Sequence, residues 1–130
     1  MTTRNYSTTS QETSLTAALS SSATTMTVQS STALFGGASV SSGQTFTVVI
    51  DPDTSLEEVV DVIYPSSSSS VILTIQRNID SSVAVAHSAG AKVRHMAIGR
   101  DFREANTHIE ASANVHGIGA GNSVVGTGTT

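Results

Sequence analysis

From Ser14 to about Ile98 the chain is a succession of short stretches in which apolar and polar residues alternate, each bounded by turn residues. SLTAAL (14–19) and TTMTVQ (24–29) flank Ser20, Ser21, Ser22 and Ala23 with the spacing of a hairpin. TFTVVID (45–51) places Phe46, Val48 and Ile50 on one face and breaks at Asp51, Pro52 and Asp53. LEEVVDVIY (56–64) ends at Pro65 and a run of serines, and VILTIQR (71–77) follows as its hairpin partner. AKVRHMAI (91–98) sets Val93, His95 and Ala97 on one face and Lys92, Arg94, Met96 and Ile98 on the other. Six short strands rich in Val, Ile and Thr predict a mainly β fold, a small antiparallel β-sandwich or barrel. Two looser stretches interrupt the pattern. Residues 30–44 hold Leu34, Phe35, Gly36 and Gly37, which predicts a short turn pinned by a buried Phe35. Residues 78–90 read as an ordered loop that packs Ile79, Val83 and Val85.

After Gly99 the period changes from two to that of a helix. Ile98, Phe102, Ala105 and Ile109 recur at i, i+4, i+7 and i+11, and Asp101 with Glu104 has the spacing of a capping box, with Asp101 in the cap position. A short amphipathic helix over 99–113 is predicted, with a stripe suited to a sheet or to its own symmetry mates in a trimer. Residues 1–13 form an extended N-terminal arm. Residues 14–98 form the β domain, and 114–130, with five glycines from 117 to 128, form a Gly-rich extended tail.

Composition narrows the chemistry. There are 22 serines and 18 threonines among 130 residues, with 4% aromatic and 12% charged residues, so the core is small and neighbouring subunits are expected to add stability. The net charge of -4 divides unevenly: residues 1–76 hold one base, Arg4, and six acids, while 77–130 hold five bases and four acids. No basic patch for nucleic acid is present, and no apolar run reaches the length of a membrane span. The opening residues lack the apolar stretch of a signal peptide. Without cysteine there is no disulfide framework, thiolate metal site or Cys nucleophile.

No catalytic constellation stands out. Glu57, Glu58 and Asp61 form the main acid cluster and read as a solvated strand edge, with Glu57 and Asp61 on the face of Val59. Asp51, Asp53 and Glu57 lack the dense oxygen spacing of a calcium loop. The histidines at 87, 95, 108 and 116 have no i, i+4 pair and no obvious supporting acid, so each is read as satisfying a backbone carbonyl. GIGAGN (117–122) follows a helix rather than a strand and is not a dinucleotide loop. No G-x-S-x-G occurs. No enzyme activity, cofactor or metal is predicted.

The ordered segments TTMTV, EEVVDV, LTIQRNID and AVAHSAGAKVRHM, followed by REANTHIEASANVHGIGAGNSVVGT, resemble the N-terminal module of tailed-bacteriophage virion proteins. In these fibre and decoration proteins a small β domain ends in an AHSAGA-like turn, then a His-containing short helix, then a VHG and VVGT segment. The resemblance spans roughly residues 14–127, and its specific part is AHSAGA with VHG and VVGT. It implies a non-enzymatic structural component of the virion. Longer relatives continue from VVGT into a fibre shaft, whereas this sequence ends at Thr130, which favours a capsid-surface decoration protein or head-fibre base. The expected partners are the major capsid protein and further copies in a homotrimer, with no nucleic acid and no membrane. Arg4 and Tyr6 in the arm, and Phe102, His108, Ile109 and His116 at symmetry contacts, are the expected partner-binding residues. A minor tail or tail-fibre anchoring protein is the alternative. A carbohydrate-binding module is a remote one, because a chain with no Trp, two Tyr and three Phe offers few stacking surfaces.

Overall fold

The computed structural model describes residues 3–110, with side chains through Thr107. It divides into a β unit ending at Met96 and a helical unit beginning at Ala97. The β unit has seven strands: β1 (Thr3–Asn5), β2 (Thr13–Ser14), β3 (Thr25–Thr27), β4 (Gln44–Ile50), β5 (Glu58–Ile63), β6 (Ile72–Gln76) and β7 (Lys92–His95). A short helix α1 (Ser31–Phe35) follows β3, and a 3-10 turn (Ile79–Ser81) follows β6. The fold is mainly β, an antiparallel sheet curled into a half-barrel, with a short C-terminal helix.

The strand order is β2-β7-β4-β5-β6-β3. Central β4 pairs with β5 from Thr45↔Ile63 to Ile50↔Glu58 and with β7 over Val48–Ile50. Where β7 leaves off, β1 continues the same side of β4 in parallel, Thr3 opposite Gln44 and Asn5 opposite Phe46. Part of the extended arm is therefore an integral strand of this chain's own sheet. The expected β5–β6 hairpin forms, with Asp61 opposite Gln76. The expected hairpin over 14–29 is narrower: β2 pairs with β7 and β3 with β6, at opposite ends of the strand order. The two arms meet through a Leu15–Val28 bridge and the Thr16 N–H to Thr27 carbonyl bond of 3.0 Å, which curls the sheet's ends toward each other.

Period-two alternation sends Phe46, Val48 and Ile50 of β4, Val60 and Val62 of β5, Leu73 and Ile75 of β6, and Val93 of β7 into one apolar cluster. Leu34 and Phe35 of α1 complete it, and the Phe35 and Phe46 rings lie 5.0 Å apart. The sequence predicted only a turn at α1. Its helix is closed at both ends, by Ser30 Oγ accepting the Ala33 N–H at 3.0 Å and by Gly36 at φ 55° donating its N–H to Thr32. A Cβ on Gly36 would lie 2.5 Å from the Thr9 and Ser10 backbone, so glycine is required there for close approach as well as for φ.

Residues 78–90 are ordered, and Ile79 is buried as expected, but Val83 is 68% exposed and Val85 only half-buried; the other buried side chain is His87. In the helical unit, α2 (Gly99–Glu110) begins one residue after Ile98. Asp101 thus occupies the third helical position rather than the cap, and its Oδ2 reaches back to the Ile98 N–H at 2.9 Å. Phe102 of the apolar stripe is 65% exposed. Among the described residues no helix is long and apolar enough to cross a membrane.

Candidate functional site

The most organised polar cluster lies inside the β unit, where four ionisable side chains from four parts of the chain form a continuous hydrogen-bonded line. Asp51 follows β4, Glu58 opens β5, Arg77 follows β6, and His87 lies in the AHSAGA segment before β7. Strand alternation aims two of them inward: Glu58 shares the face of Val60 and Val62, and Arg77 continues that of Leu73 and Ile75. The β4–β5 register ends at Ile50↔Glu58, which brings Asp51, the residue after β4, alongside.

His87 is clamped at both ring nitrogens, Nδ1 lying 2.7 Å from Asp51 Oδ2 and Nε2 2.8 Å from Glu58 Oε1. Its backbone is fixed by a reciprocal pair with Leu19, N–H to carbonyl at 2.8 and 2.9 Å. Arg77 grips Glu58 in a fork, Nε to Oε2 at 2.8 Å and Nη2 to Oε1 at 2.6 Å. Its remaining N–H groups donate to the carbonyls of Val85 at 2.7 Å, Ala23 at 3.4 Å and Ser20. All five guanidinium donors are therefore used, and the Val85 N–H adds a fourth donor to the Glu58 carboxylate at 3.2 Å. The Glu58 and His87 side chains are fully buried, Arg77 is 7% exposed and Asp51 20%.

The charge pattern explains how four ionisable groups tolerate burial. Each His87 nitrogen faces a carboxylate oxygen, and Arg77 forms a buried ion pair with Glu58, so every ionisable group along the line has a partner. Burial raises the Glu58 carboxyl, but hydrogen bonds from Arg77, His87 and the Val85 N–H, with the guanidinium charge, outweigh it and hold the group below its ordinary 4.5.

Chemically this arrangement is a brace. General-base catalysis needs a ring nitrogen free to take a proton from a nucleophile or water, and both nitrogens of His87 face carboxylates. The two acids lie on opposite edges of the imidazole and do not converge on one point. Among the described residues no group of three or more His, Asp or Glu is placed to hold a metal ion.

A second histidine seats the N-terminal segment. His95 Nδ1–H donates to the Thr47 carbonyl at 2.7 Å, which leaves Nε2 to accept the Ser7 N–H at 3.2 Å. Its ring stacks on Phe46 with centroids 3.9 Å apart, and Tyr6 lies 6.1 Å away. Residues 7–11 are then tied to α1 and its cap by Ser7 and Thr9 hydroxyls on the Gly36 carbonyl, Ser10 Oγ on the Leu34 carbonyl, and the Gln11 N–H on the Ala33 carbonyl at 2.8 Å.

Of the residues expected from sequence to contact partners, Arg4 lies in β1 opposite Thr45, and Tyr6 stands exposed just beyond that strand. Phe102 is exposed on α2, in the other unit. The side chains of His108 and Ile109, together with His116 and the 114–130 tail, lie outside the described residues.

Two readings of the sequence are corrected. Glu58 and Asp61 do not form a solvated edge: both are buried, Asp61 accepting the Thr47 hydroxyl at 2.8 Å. His87 does have supporting acids, brought from 36 and 29 residues away. The usable signal was Glu58 in phase with Val60 and Val62, since a charge on an apolar face needs a buried partner.

Beside Arg77 an open groove of about 490 Å³ runs between the Ser21–Thr24 loop, the end of β6 and Asn78 with Ala84. Its lining is hydroxyl, amide and aliphatic apart from Arg77 itself, with no aromatic ring. Comparison with known proteins finds no family model that matches the chain and no curated protein similar to it in sequence.

Proposed function

We propose that this chain is a structural component of a tailed-bacteriophage virion, a capsid decoration protein that docks its β unit on the major capsid protein and adds stability to the assembled shell. The carrying observation is where the β unit places its side chains. Its ionisable cluster is consumed in bracing loops to strands, with both nitrogens of the central histidine engaged by carboxylates, while Tyr6 stands outside on an ordered segment. A rigid module with an exposed aromatic anchor suits adhesion between subunits better than turnover of a substrate. The AHSAGA turn named in the phage resemblance supports the same reading, because its histidine is the central member of the brace. In the helical unit, exposed Phe102 gives α2 an apolar side chain for contact with further copies, consistent with a trimer.

Quantitative mass spectrometry of purified particles tests this. A copy number near that of the major capsid protein, or a simple fraction of it such as one third, is the expected result. A handful of copies per particle would move the protein to the tail, as a minor tail or fibre-anchoring component, and absence from particles would discard the virion reading.

A further inference from the structure

Residues 78–90, from the end of β6 to the start of β7, are attached to the β unit by a different kind of force than the strands are. None of them belongs to the apolar cluster of Leu15, Phe35, Phe46, Val48, Val60 and their neighbours. Apart from the buried Ile79 side chain, polar contacts hold the segment. Ser82 Oγ donates to the Val59 carbonyl at 3.0 Å and accepts the Val59 N–H at 3.2 Å, occupying a stretch of the β5 edge beyond its pairing with β6. Val85 donates to Glu58 and accepts from Arg77, His87 pairs with Leu19 and inserts its ring between Asp51 and Glu58, and Gly90 donates to the Leu15 carbonyl at 2.7 Å. Two of these fastenings end on the Glu58 carboxylate itself, and a third runs to it through the guanidinium of Arg77.

We propose that residues 78–90 form a strap that opens as one unit when Glu58 takes a proton, while the strand core stays folded. A neutral Glu58 takes the counter-charge from the Arg77 fork and one of the two carboxylates from the His87 ring, where the Glu58 and His87 side chains are fully buried. The segment relieves this by carrying His87 out to solvent, and Ile79 is its one buried apolar side chain. β4, β5 and β6 have no such exit, because their side chains build the core.

The surrounding charges leave Glu58 as the controlling group. Arg77 faces it from just past β6 and His87 from the strap, with Asp51, just past β4, behind the ring. Glu57 is turned to the Asp53 N–H at 2.7 Å, Lys92 of β7 lies 3.9 Å from Glu12 of the segment before β2, and Asp80 is the strap's own acid. The same contacts that hold the Glu58 carboxyl low set the opening below pH 4.5. Opening uncovers the Val59 N–H and carbonyl, a free sheet edge of the kind that accepts an added strand.

Amide hydrogen exchange followed by NMR on the full chain, from neutral pH to about pH 3 and corrected for intrinsic rates, tests the strap. The expected result is a loss of about tenfold or more in protection of Val85, His87 and Gly90 below pH 4.5 while Val48, Val49 and Ile50 of β4 keep theirs. Loss of strap and β4 protection together at every pH, or strap protection unchanged down to pH 3, overturns the proposal. Glu58→Gln is expected to show the open strap already at neutral pH. Should that variant fail to fold, the wild-type series decides alone, and Ser82→Ala separates charge from attachment: it lowers strap protection but retains the acid step. A step that disappears with Ser82 overturns control by Glu58.

Discussion

Replacing Arg77 with Met removes the guanidinium while keeping much of its aliphatic length, and the structure allows the consequence to be worked through group by group. Glu58 loses two of its four donors and its adjacent cation, and the Ser20, Ala23 and Val85 carbonyls each lose a partner. Asp51 and Glu58 then outnumber His87, leaving a buried net negative charge. Breaking a buried pair from one side costs about 3–5 kcal/mol. Domains of ordinary stability have about 5–15 kcal/mol in total, so this one change removes a large part of it. Urea unfolding of the full chain reads the effect directly: at an m value of about 1–3 kcal/mol/M, the midpoint falls by more than about 1 M. The double variant Glu58→Gln with Arg77→Met recovers part of the loss, because the stranded charge leaves with the carboxylate. A single-variant loss under about 1 kcal/mol, the range of exposed ion pairs, would refute the reading of the line as a buried brace.

Four further outcomes follow from the same geometry. The Glu58 carboxyl is held below 4.5, so its contribution is complete above that value and fades as pH falls through the lower folded-state value; the urea midpoint of the wild type drops on the acid side, whereas Glu58→Gln lacks that component. Gly36→Ala introduces a Cβ 2.5 Å from backbone atoms of Thr9 and Ser10 at φ 55° and lowers stability by about 1–3 kcal/mol in thermal melts. Phe46→Ala removes the ring that packs on both Phe35 and His95 and costs about 3–5 kcal/mol, with hydrogen exchange rising at Ser7 as the His95 seat loosens. Tyr6→Ala changes stability by no more than about 0.5 kcal/mol, since the side chain is largely exposed, yet lowers occupancy on particles if the aromatic is a docking anchor. This substitution probes attachment more cleanly than removal of residues 1–12, which would strip β1 from β4 and the hydroxyl contacts from α1.

Local pattern determined a good deal of this protein. Alternation at Phe46, Val48 and Ile50 marked a core-facing strand, Pro65 and the serines marked the β5–β6 turn, and the change of period at Gly99 marked α2, because each depends on residues a few positions apart. Pairing over longer distances was decided by the tertiary structure. The arms of the apparent 14–29 hairpin go to opposite ends of the strand order, and the N-terminal segment fills the part of β4 that β7 leaves open, since backbone groups in a sheet must find partners wherever the chain can supply them. The brace is the clearest case. For Asp51 and His87 no local pattern marked burial, whereas Glu58 in the phase of Val60 and Val62 and Arg77 in that of Leu73 and Ile75 did. What makes them one unit is that β4, β5 and the segment after β6 converge. A buried charge is tolerable only where its counter-charges are, and their place is set by strand register rather than by sequence spacing.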